Sequence, residues 1–93
     1  MANPKHVAVV KKGDPVIQKW RKTHPTQNLN LSGADFSGAD LIGADLTDAD
    51  LIGANLFRAS LTAANLTDAN LFRANLTAAS LIWIKAHRKV LLP

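Results

Sequence analysis

LNLSG-ADFSG-ADLIG-ADLTD-ADLIG-ANLFR-ASLTA-ANLTD-ANLFR-ANLTA-ASLIW, residues 29–83, is a single five-residue unit written eleven times. An apolar residue holds the third place throughout: Leu31, Phe36, Leu41, Leu46, Leu51, Leu56, Leu61, Leu66, Leu71, Leu76 and Leu81. The first place is Ala34, Ala39, Ala44, Ala49, Ala54, Ala59, Ala64, Ala69, Ala74 and Ala79, with Leu29 the one exception. Between them stands Asp, Asn or Ser. The pattern speaks to shape and says little about what the chain does.

A period of five suits neither ordinary element. A helix advances about 100° per residue, so a five-residue step rotates by roughly 140° and scatters the leucines around the cylinder. A strand has a side-chain period of two, so the same step flips each leucine to the opposite face. Only a chain that turns once per repeat keeps every Leu and Ala inward. Self-similarity at a fixed short period is the signature of a solenoid.

The A-(D/N)-L-x-x unit resembles that of the pentapeptide-repeat proteins. The resemblance implies an all-β solenoid, a right-handed quadrilateral β-helix in which four repeats complete a coil. It covers residues 29–83; residues 1–28 are then expected to form a basic, partly helical N-terminal cap, and residues 84–93 a C-terminal cap or dimerisation tail. Lys19-Trp20-Arg21 and the run Leu29 to Asp35 are also similar to N-terminal segments of some cyanobacterial members.

Physical chemistry assigns a task to each place. Leu and Phe fill the interior, each contributing roughly 1.5–3 kcal/mol when fully buried. Ala follows from a lumen too narrow for a second large side chain. Asp, Asn or Ser is expected to hydrogen-bond nearby backbone at a corner. The last two places are expected to face solvent and to vary freely. Residues twenty apart stack, which sets Ser32, Ile52 and Phe72 on one face, Ser37, Phe57 and Thr77 on the next, and Ile42, Thr62 and Ile82 on a third. The fourth carries Thr47 and Thr67.

The ends do not repeat. Asp14-Pro15 is a helix start, with Asp14 as N-cap and Pro at the first helical position. Pro25 stops the helix near His24. The stretch around His6–Lys12 is either a first helical turn or an extended arm. An open solenoid end exposes apolar lumen and unpaired edges, so Trp20, Val16 and Ile17 are expected to plug it. At the other end Trp83, Ile84, Val90, Leu91 and Leu92 are too apolar for a solvated tail. They either fold back over the last coil or meet another chain.

Composition narrows the function. The chain has 93 residues, no cysteine and a net charge of +4. Residues 1–28 carry +5 and residues 84–93 +3, against −4 in the repeats. No apolar run approaches the roughly 20 residues of a membrane span, and no signal-peptide core is evident, so a cytoplasmic location is the default expectation. Asp35, Asp40, Asp45 and Asp50 fall on successive sides, whereas acid–base catalysis needs carboxylates converging on one atom. Asp48 and Asp68 stack, but a calcium site needs six or more oxygen ligands. His6, His24 and His87 read as isolated surface groups without metal-ligand spacing. Asn30, Asn65 and Asn75 match the glycosylation pattern only as by-products of the repeat.

No catalytic residue, cofactor or metal is therefore expected. The expected function is a non-catalytic structural or protein-interaction module that meets a partner protein or itself. Some family members dimerise through their C-terminal ends, so the resemblance implies a homodimer there. The alternative it implies is a DNA-mimic modulator of DNA gyrase, against which stand the basic ends. Direct binding of nucleic acid is not favoured, since the lysines lack a stacking platform.

Overall fold

Each pentapeptide folds as a reverse turn followed by one bridging residue. A computed structural model describes residues 1–85 of the chain. The repeat Ala54–Arg58 accounts for all five of its backbone N–H groups. Ala54 donates to Leu51 C=O across the turn at 3.0 Å. Asn55 donates to Ala34 C=O at 2.8 Å in the preceding coil, and Leu56 to Asn75 C=O at 2.8 Å in the following one. Phe57 donates to the Oδ1 of Asn55 at 3.0 Å, and Arg58 to Thr77 C=O at 3.0 Å. A backbone satisfied in this way can line a narrow lumen without orphaned polar groups.

Parallel bridges join residues twenty apart, from Asn30 with Asp50 to Asn65 with Lys85. Four pentapeptides therefore make one coil. The β structure among the described residues is a ladder of single-residue bridges, with no continuous strand. Two of every five residues are spent on the turn, which leaves too little extended chain per side for the strands that an all-β solenoid suggests.

The turn also revises the roles of the outer places. The fourth and fifth residues make the corner, and the Asp, Asn or Ser of the second place sits in the ladder. The fifth residue has positive φ in every described repeat, from Gly33 at 72° to Trp83 at 60°. Positive φ at the second central residue alone is the sign pattern of a type II turn. The fifth place is thus conformationally restricted, contrary to the expectation that it varies freely. Asp48, Arg58, Ala63, Asp68, Arg73 and Ala78 adopt it without being glycine.

Leu31, Phe36, Leu41, Leu46, Leu51, Leu56, Leu61, Leu66 and Leu71 are buried in one core with Ala34, Ala44, Ala49, Ala54, Ala59, Ala64, Ala69 and Ala74. Ala39, Leu76 and Ala79 are half-buried. Leu81 departs from the expected interior position and is 37% exposed, because no further coil covers it among the described residues. Leu29, the break in the alanine column, is fully buried. It stands where the lumen opens and a larger side chain has room.

Two helices pack against the core at Leu29. Helix α1 spans Pro4–Lys11, with the Asn3 side chain accepting from the Lys5 N–H at 2.9 Å and Pro in the first turn. Helix α2 spans Asp14–Thr23. Its N-cap is Gly13 and not Asp14, since the chain passes between the helices at φ 91°, open to glycine. Asp14 is instead the first helical residue and accepts from Gln18 Nε2 at 3.1 Å. Val10 of α1 and Ile17 of α2 are fully buried with Leu29, and Trp20 packs against them. Val16 lies about 100° around α2 from Ile17 and is only half-buried, so Val10 takes its place in the plug.

Candidate interaction surface

The first coil has no coil beneath it, and side chains of the helices supply part of what is missing. Asn30 donates its backbone N–H to His6 Nδ1 at 2.9 Å and accepts from the Asn3 N–H at 3.0 Å. Three sides further along the same coil, Arg21 Nε donates to Asp45 C=O at 2.9 Å and its terminal nitrogen to Thr47 C=O at 2.8 Å. The same Nε lies 3.5 Å from the Asp45 carboxylate. These bonds cover an edge that would otherwise invite pairing with another chain.

His6 was expected at the surface and is 7% exposed. Its ring meets Trp20 edge-on at 4.9 Å, and Trp20 stacks on His24 at 4.6 Å. Burial holds the His6 imidazole below its ordinary pKa, and nearby His24 adds to the effect against an opposing hydrogen bond from Gln27. Sequence reasoning missed this site, since a histidine among lysines carries no pattern. His87 lies outside the described residues.

Most second-place side chains close their own turns. Asp35 Oδ1 accepts from the Ser37 N–H at 2.9 Å, and Asp40, Asp45, Asp50, Asn55, Asn65, Asn70 and Asn75 do the same two residues on. The Ser37 backbone bond, with its side chain, holds the Asp35 carboxyl below its usual range. Thr47 and Thr67 each add a hydroxyl bond of 2.6 Å to the same acceptor. Among the described residues no group of three or more His, Cys, Asp or Glu is placed to hold a metal.

Apolar side chains remain outside. Ile42, Ile52 and Phe72 are exposed on the outer faces, and Arg73 lies over the Phe72 ring at 5.3 Å. Phe57, expected outward, is half-buried, with Arg58 over its ring at 5.1 Å. Toward the C-terminal end Ile82 is 59% exposed and Trp83 83%. Ile84 is half-buried and packs on the core. Val90, Leu91 and Leu92 lie outside the described residues.

The family profile for pentapeptide repeats matches residues 27–56 and 54–87, in eight copies. The chain belongs to the pentapeptide-repeat family. Its fold resembles a pentapeptide-repeat protein of the cyanobacterium Cyanothece 51142, with TM-score 0.67 and 41% identity over 69% of this chain and 44% of that one. It also resembles an Arabidopsis thaliana pentapeptide-repeat protein of the thylakoid lumen, with TM-score 0.66 and 40% identity over 68% and 43% of the two chains. This pentapeptide-repeat chain thus spans less than half the length of either relative. No curated protein matches it. Among the described residues no helix is long and apolar enough to cross a membrane.

Proposed function

We propose that the chain is a non-catalytic structural and interaction module that engages another protein, or a second copy of itself, through its C-terminal end. The observation that carries this reading is the exposure of Ile82 and Trp83 beside the half-covered leucines of the last described coil. Most second-place polar groups of the repeats, by contrast, serve their own backbone. The right-handed, four-sided coil of the family is part of this reading and is supported by the twenty-residue register. So are a cap formed by residues 1–28 and a cytoplasmic location, although one relative is a thylakoid-lumen protein. A DNA-mimic role draws no support from an N-terminal end studded with Lys5, Lys11, Lys12, Lys19 and Lys22.

Light scattering of the full chain over a wide concentration range tests the proposal. Self-association that is lost in an Ile82→Ser, Trp83→Ser variant supports the C-terminal end as the contact. A monomer at every concentration removes the self-association half and moves the search to Ile52 and Phe72.

A further inference from the structure

We propose that His6 is a proton-operated latch, which holds α1 on the first coil and releases it in mild acid. Asn30 opens the bridge ladder, so its backbone N–H meets no earlier coil and donates instead to His6 Nδ1. An imidazole nitrogen that accepts a hydrogen bond carries no proton, which places the ring hydrogen on Nε2. Protonation at Nδ1 sets a donor against the Asn30 donor, and the bond is lost.

The surroundings give that proton a directed effect. Trp20 and His24 face the site from α2, Gln27 from the segment that follows it, and Asn30 from the coil. His24 Nδ1 lies 2.9 Å from Trp20 C=O. A charge on His24 would oppose one on His6. Helix α2 has an anchor that involves no imidazole, the Arg21 bonds to Asp45 and Thr47. Acid thus removes the His6 anchor of α1 and leaves the Asn3 N–H bond to Asn30 C=O, while α2 stays attached. The Asn30 N–H is then uncovered at the mouth of the coil.

The direction follows from which form the folded cap accepts. The docked cap takes neutral His6, so docking is complete above the ordinary histidine value of about 6.5 and weakens as pH falls below it.

Hydrogen exchange of the Asn30 amide, read by NMR from about pH 7.5 to about pH 5 and corrected for intrinsic rate, tests the latch. Protection of Asn30 falls by about tenfold or more as His6 titrates, while the inter-coil amides of Leu46 and Leu51 hold. His6→Asn, whose amide oxygen accepts without titrating, keeps Asn30 protected throughout. Equal protection of Asn30 at both ends of the range overturns the proposal, as does the same loss in His6→Asn. Should His6→Asn fail to fold, the His6 ring resonances of the unaltered chain decide. A ring that titrates while Asn30 does not respond refutes the latch.

Discussion

Asp40 and Ser60 face each other in a parallel bridge on one side of the coil, and only Asp40 closes its own turn with a side-chain bond. Its Oδ1 accepts from the Ile42 N–H at 3.1 Å. No such bond joins Ser60 to the Thr62 N–H among the described residues, and the Thr62 hydroxyl turns instead to Ser80 at 3.2 Å. A serine hydroxyl, one bond nearer the backbone, makes this turn bond more weakly than Asx does. Ser60→Asn is therefore expected to stabilise the chain by about 1 kcal/mol, the usual net value of one hydrogen bond. Thermal melting measures it, and an unchanged or lower midpoint defeats the argument.

The fifth place yields a second test. Ala63 is exposed at φ 60°, a region that costs a residue with a Cβ about 1–2 kcal/mol. Ala63→Gly removes that strain and gives back part of it through the more flexible unfolded chain. A net gain of about 0.5 kcal/mol is expected. The reverse change, Gly53→Ala, loses stability even though nothing lies within 4 Å of the new methyl. If denaturant midpoints move the other way, the turn does not require the left-handed residue.

These two places show where sequence reasoning stopped. The twenty-residue register follows from the resemblance to pentapeptide-repeat proteins, which implies four five-residue repeats per coil, and the bridges show it. The left-handed backbone of the fifth place was hidden, because Gly33 and Gly43 announce it while Asp48, Arg58 and Trp83 do not. The N-terminal site was harder still. His6 with Asn30, and Arg21 with Asp45, are single contacts 24 residues apart, and no repetition marks them. Val10 carries no sequence mark that sets it apart from Val16, yet it is fully buried and Val16 is not.

Arg21 supplies a third prediction. It reaches the Asp45 and Thr47 carbonyls with two different nitrogens, a fork that lysine lacks. Arg21→Lys is expected to cost about 1.5–3 kcal/mol, the value of a hydrogen bond made by a charged group. The loss is confined to the cap: limited proteolysis near α2 speeds up, and exchange of the Leu56 amide does not. Equal weakening of both means the cap and coil unfold as one unit.

The lumen itself sets the last. Ala54 is fully buried between coils, with Ala34 C=O bonded to its neighbour Asn55 and Leu51 C=O bonded to its own N–H. The stacked bonds at 2.8 to 3.0 Å leave no slack along the coil axis, so added carbons at Ala54 push against Leu and Ala side chains that cannot retreat. Ala54→Leu is therefore expected to cost about 1–3 kcal/mol or more through overpacking. Thr62 sits at the fourth place, half-buried, its hydroxyl bonded to Ser80. Thr62→Leu loses that contact and places the added carbons on an outer face, at a cost of about 0.5 kcal/mol. Chemical denaturation of both variants decides: a clear gap with Ala54→Leu the weaker is expected, and equal tolerance means alanine is not what the lumen demands.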